Sequence, residues 1–149
     1  MSPKLKSLTA GLFVASVMSF PVATPAFAEG DVAAGEKVFR KCKACHRIGD
    51  NARNGVGPAL NNIVGQPVAS VEGYKYGKGI LAAKEGGLVW TAETLDGYLT
   101  DPKAYLAEVT GDPKAQAKMV FKLRKEEERV NVIAYLKSFS TAEAAPETN

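Results

Sequence analysis

The densest chemistry in the sequence is the run Cys42-Lys43-Ala44-Cys45-His46. Two cysteines with two residues between them place their thiols one turn apart, and the next residue is an imidazole. Each thiol can add across one vinyl group of a haem while the histidine swings under the iron as an axial ligand, so one pentapeptide fixes both porphyrin and metal. Three other chemistries use this spacing: a zinc site, a thioredoxin-like redox pair and a plain disulfide. Structural zinc wants four Cys or His ligands, whereas the chain offers two Cys and one His crowded together. A redox dithiol belongs after a strand in a βαβ setting, yet these cysteines end an amphipathic stretch and precede loops. The expectation is one covalent haem c on Cys42 and Cys45, with His46 on the iron.

A second iron ligand has few sources. Past the first 28 residues His46 is the one histidine and Met119 the one methionine, since Met1 and Met18 come earlier. If the iron takes two soft or imidazole ligands, Met119 is the donor left; a lysine, or an open position bearing water, is the alternative. A lone methionine is ordinarily core filler. This one stands in Lys118-Met119-Val120-Phe121, after two helical stretches and before the last, where it can close over the haem face opposite His46.

These residues need a scaffold. Glu29 to Cys42 reads as a helix favoured at its start by Asp31, with Gly35, Val38, Phe39 and Cys42 on one face. Arg47 to Gly87 is rich in Gly and Asn with Pro58 and Pro67, which predicts loops and a brief helical turn around Leu60 to Val64. So long a loop region needs something to fold around. Thr91 is placed to cap a helix carrying Leu95, Tyr98 and Leu99, and Asp101-Pro102 stops it while starting another through Leu106. The last helix opens on Glu126, Glu127 and Glu128, buries Val132, Ile133, Leu136 and Phe139, and carries Lys137 near its end. With no strand pairs or repeats, the class is all-α.

The N-terminus has a different purpose. Lys4 and Lys6 precede an apolar run from Leu8 to Phe20, followed by Ala26-Phe27-Ala28, which is the pattern of a secretory signal peptide cleaved after Ala28. The run is short and broken by Gly11, Ser16 and Ser19, so it is a poor membrane anchor, and no later segment is apolar enough to insert stably. The expected organisation is a signal peptide at 1–28, one domain at 29–139, and a disordered Ala/Glu/Thr tail at 140–149. Cleavage leaves 17 basic against 16 acidic side chains. A balance of +1 argues against a general nucleic-acid binder, and the product is expected in the periplasm as a monomer.

Taken together, Gly35 and Phe39, the haem motif, Gly57-Pro58-Ala59-Leu60, Gly73-Tyr74-Lys75-Tyr76, Trp90, Tyr98-Leu99-Thr100-Asp101-Pro102, Lys118-Met119-Val120-Phe121 and Ile133-Ala134-Tyr135-Leu136 resemble a class I cytochrome c of the bacterial c2 or c-550 type. The resemblance spans almost all of residues 30–139. It implies crossing N- and C-terminal helices, with loops and short helices wrapped around one haem. Gly35 and Phe39 would let the first helix approach Val132, Tyr135 and Leu136.

The resemblance also implies roles for single residues. Pro58 would offer its carbonyl to the His46 ring, Tyr76 and Trp90 would donate hydrogen bonds to a buried propionate, and Tyr98 would lie near the Met119 sulfur. Gln66 stands where the family often has an arginine, and Ala117 where a hydroxyl residue often precedes Lys-Met. The segment from Ala107 to Lys118 is longer than in short relatives, which is expected to loosen the methionine loop. The implied function is single-electron carriage without catalysis. Electrons would pass from a cytochrome bc-type complex or a dehydrogenase to an oxidase, a reductase or a photosynthetic reaction centre. Docking would use a haem edge rimmed by Lys41, Lys43, Lys75, Lys78, Lys118 and Lys122. The rival functions are a gas-binding or peroxidase-like protein with an open sixth position, and a haem subunit fixed to a larger oxidoreductase.

Overall fold

A computed structural model of the chain describes residues 29–140. The expected signal peptide and, apart from Ser140, the expected tail lie outside the described residues. Among those described, the chain forms five helices: α1 (Val32–Phe39), α2 (Lys78–Glu85), α3 (Ala92–Thr100), α4 (Pro102–Thr110) and α5 (Glu126–Lys137). No strand forms among them, only an isolated bridge between Pro67 and Val89. The architecture is all-α.

Asp31 starts α1 by accepting from the Ala34 amide at 2.8 Å. The helix ends at Phe39, earlier than expected, because the amides of Lys41 and Cys42 reach back only three residues, to Val38 and Phe39. This tighter winding carries the chain into the cysteine turn. α1 crosses α5 with no gap: a Cβ on Gly35 would lie 2.0 Å from the Asn131 carbonyl oxygen, so only glycine lets the backbones touch. Phe39, 1% exposed, then packs on Tyr135 with ring centres 5.3 Å apart. Full burial of such a ring contributes roughly 1.5–3 kcal/mol. The Lys41–Glu128 ion pair, which ties the turn after α1 to α5, is solvent-exposed and adds far less.

Thr91 and Thr94 cap α3 reciprocally, and Asp101 caps α4 ahead of Pro102, so the break expected between them is found. The expected helical turn at Leu60 to Val64 is not a helix. Asn62 has φ +55°, which ends any helical run, and its amide donates to the carbonyl of Phe139, which lies two residues past α5 and is half-buried rather than part of that helix's buried stripe as expected. The region expected to be loops through Gly87 contains α2, which is held by tertiary packing. It has no side-chain N-cap and carries Gly79, but buries Ile80 and Ala83 against Leu106.

Two apolar clusters result. Phe39, Leu95, Val132, Ile133 and Leu136 form one; Val68, Ile80, Ala83, Leu106 and Ala115 form the other, and Trp90 packs against both. The segment expected to loosen the methionine loop is instead tied into the second cluster through Ala115, 5% exposed. Among the described residues one charged side chain is buried. Arg129 donates to Asp96 from Nε at 2.6 Å and to the Leu123 and Arg124 carbonyls from Nη1, joining α5, α3 and the loop before α5 with its charge fully partnered.

Candidate haem-binding site

Between the two clusters lies a cavity of about 450 Å³ with a mainly apolar wall. Cys42, Cys45, His46, Pro58, Tyr76, Trp90, Tyr98 and Met119, scattered over 78 positions of sequence, all line it. The tight turns after α1 present Cys42 and Cys45, and the amides of Cys45 and His46 both return to the Cys42 carbonyl. Burial pushes the Cys42 thiol up to about 11, so it stays protonated at neutral pH rather than forming the thiolate a redox dithiol needs.

His46 is the best-defined group. Its Nδ1 lies 2.8 Å from the Pro58 carbonyl oxygen, and because a carbonyl can only accept, Nδ1 must carry the proton. Nε2 keeps its lone pair for a metal. Burial lowers the imidazole pKa, with the Pro58 bond opposing, and a neutral ring is the form that ligates. Gly57 lies flat against this ring: a Cβ there would stand 2.4 Å from Cε1 and 2.7 Å from Nδ1. The donor set, two thiols, one imidazole nitrogen with its tautomer fixed and one thioether on an apolar wall, suits a covalent iron porphyrin. It does not suit a structural zinc ion, and no group of three or more His, Cys, Asp or Glu that could hold a metal ion occurs among the described residues.

A family model for cytochrome c matches residues 32–140. The chain belongs to the cytochrome c family. It is similar to cytochrome c2 of Rhodospirillum rubrum, 46% identical over 88% of this chain and 95% of that one. Cytochrome c-550 of Paracoccus pantotrophus is 50% identical over 79% of this chain and 95% of the relative. Among solved structures, cytochrome c2 from Rhodospirillum centenum superposes with a TM-score of 0.72 at 46% identity, covering 74% of this chain and 99% of that one. As a c-type cytochrome the protein is an electron carrier with covalently bound haem c, and Cys42 and Cys45 are its only cysteines.

Aromatic residues furnish much of the rest of the cytochrome's cavity wall. The Tyr76 hydroxyl accepts from the Val71 amide at 3.2 Å and so keeps its own proton to donate. Trp90 and Tyr98 lie 5.0 Å apart, and burial pushes Tyr98 up to about 12, which keeps its hydroxyl a donor at any physiological pH. Sequence reasoning missed three features. Tyr74 donates from its hydroxyl to the Val56 carbonyl at 2.7 Å, pinning the loop beside Gly57. Gly57 itself makes room for the imidazole. Lys118, beside Met119, donates to the Lys75 carbonyl at 2.7 Å and stands 4.7 Å over the Tyr74 ring. The Gly57-Pro58 pair was a signal for the second, since a glycine next to a rigid proline marks close approach.

Proposed function

We propose that this cytochrome carries single electrons in the periplasm, with haem tethered through Cys42 and Cys45 and iron held by His46 and Met119. The observation that carries the reading is the meeting of those four side chains on one apolar cavity, with the His46 tautomer fixed by Pro58. Bound haem c supplies one-electron exchange at its iron. The protein's part is to hold the ligand atoms, exclude water and set the energy of the exchange. Nδ1–H donation to Pro58 orients the imidazole and raises its basicity. Thioether ligation and an apolar wall favour the less charged ferrous form, giving a relatively positive potential.

Held by both His46 and Met119, the iron would offer no site to a substrate, so the proposed work is carriage and not catalysis. Tyr76 and Trp90 are assigned as hydrogen-bond donors toward a propionate and Tyr98 as the neighbour of the Met119 sulfur. Among the described residues no helix is long and apolar enough to cross a membrane. Export rests on residues 1–28. Intact mass under denaturing conditions is expected to equal the chain from Glu29 onward plus one haem. A bare-chain mass, or haem that extracts into acid acetone, would overturn covalent attachment.

Partners are proposed to be redox proteins of the membrane or periplasm, donors such as a cytochrome bc-type complex and acceptors such as an oxidase or a photosynthetic reaction centre. They would dock over the haem edge. Of the six lysines expected to rim it, Lys41 is paired with Glu128, Lys122 with Asp101, and Lys118 is pinned to Lys75 and Tyr74. That leaves Lys43, Lys75, Lys78 and Lys118, all exposed and without an ion-pair partner among the described residues, as the steering charges, since a carbonyl and a ring do not cancel the Lys118 charge. With a net charge near neutral, steering is local: at physiological salt the Debye length is about 8 Å. Lys43→Glu is expected to slow electron transfer to an anionic-surfaced partner about tenfold at low salt, a gap that closes as salt rises. Lys137→Glu, on α5, is expected to change little. Equal slowing in stopped-flow by both variants would remove the lysine-rimmed face in favour of an apolar contact.

A further inference from the structure

We propose that α2 is a seat for the methionine arm: Gly77 and Gly79, by touching the two residues Gln116 and Lys118, set where Met119 stands in the cavity. This rests on the Met119 ligation proposed above. Neither glycine is required by backbone angles, since Gly77 has φ −81° and Gly79 is not among the positive-φ positions. Alanine would be the better helix former at Gly79, so space is the reason for its absence. A Cβ on Gly79 would lie 2.5 Å from the Gln116 carbonyl oxygen and 3.3 Å from its carbon, backbone atoms that cannot rotate away. A Cβ on Gly77 would lie 2.9 Å from Lys118 Cγ.

The arm is held from its other side as well. Lys118 Nζ donates to the Lys75 carbonyl at 2.7 Å and covers the Tyr74 ring, so the residue preceding Met119 is clasped between Gly77 and the 74–75 segment. Past Met119 the chain is fixed again, by the Leu123 amide on the Leu99 carbonyl at 2.8 Å and by Arg129 on the carbonyls of Leu123 and Arg124. Between these anchors Val120 is 83% exposed and restrains little. The reach of Met119 is therefore set by its anchors. Ala115, buried with Ile80, Ala83 and Leu106, makes the upstream anchor part of a core rather than a surface contact.

A methyl group added at Gly79 pushes the arm, and the fraction of molecules with Met119 off the iron rises. An external ligand reports that fraction directly, because its apparent affinity scales with the population open to it. The experiment is an imidazole titration of the oxidised holoprotein, with redox potentials measured alongside. Gly79→Ala is expected to bind imidazole about tenfold more tightly than wild type. Gly77→Ala, which meets a flexible side chain, is expected to bind about twofold to threefold more tightly, with potentials falling in the same order. Met119→Ala sets the ceiling. Ile133→Ala, on α5, buried in the first apolar cluster and not on the cavity wall, is expected to lower the denaturation midpoint without changing imidazole affinity. If Met119→Ala binds tightly while both glycine variants behave as wild type, the seat is wrong and the ligand assignment stands. If Met119→Ala binds no more tightly than wild type, the ligand assignment itself fails. An Ile133→Ala response equal to that of Gly79→Ala would mean general loosening and also overturn the seat. Should Gly79→Ala not fold, Gly77→Ala decides alone.

Discussion

Met119→Ala is expected to leave the haem attached while opening the iron and lowering its potential. Attachment through Cys42 and Cys45 is covalent chemistry at the other end of the cavity sequence and does not depend on residue 119. With Met119 as the proposed ligand, loss of the thioether would remove the donor that most favours the reduced form. The expected fall is on the order of 0.2 V, within the roughly 0.8 V over which axial ligation moves haem potentials. The oxidised wild type should show the thioether-to-iron absorption near the red end of the spectrum and the variant should not, and the reduced variant should bind carbon monoxide rapidly. An unchanged spectrum and potential would reject Met119 as a ligand. Rapid carbon monoxide binding by the wild type would point instead to an open sixth position.

The second large effect is expected at His46, the other proposed ligand. Gly57→Ala places a methyl group 2.4 Å from Cε1 of His46 and 2.8 Å from Nε2, so the ring has to leave its position and its bond to Pro58. Overpacking of this kind costs about 1–3 kcal/mol, and the lost hydrogen bond adds about 1 kcal/mol. The yield of holoprotein and its denaturation midpoint should both fall. Gly55→Ala is the matched control two residues away. Its Cβ would meet only the Cys45 carbonyl oxygen, at an ordinary 3.6 Å, and stability should hardly change. Equal midpoints for the two variants would show that Gly57 does not constrain the imidazole.

What could be read from the sequence was either local or unique. The cysteine pair and its histidine are adjacent, Met119 is the one methionine past residue 28, and the Thr91 cap and the Asp101-Pro102 break act within one turn. The α1–α5 crossing was legible through the family resemblance, which gave Gly35 and Phe39 their place against the last helix. Features made by distant parts of the chain were not legible. α2 is held by Leu106, not by its own caps; Lys118 finds its acceptor 43 residues away. Arg129 reads as one more charge on an acidic helix start, and its burial depends on Asp96 and two carbonyls that no periodicity reveals. The ion pairs of Lys41 and Lys122 were hidden for a related reason, because composition lists charges without their partners.

The cavity between the two apolar clusters has a consequence for how the protein comes into being. At about 24 cal/mol per Å³, a void of about 450 Å³ left unfilled in an apolar core would cost about 11 kcal/mol. The whole net stability of a domain is about 5–15 kcal/mol. A chain lacking its prosthetic group therefore has little or no reason to fold, and the thioether bonds have to form on a chain that is still open. Maturation and folding become a single event, and misfolded or unloaded chains are left as substrates for proteases. The quantity of folded cytochrome is then expected to follow the supply of haem.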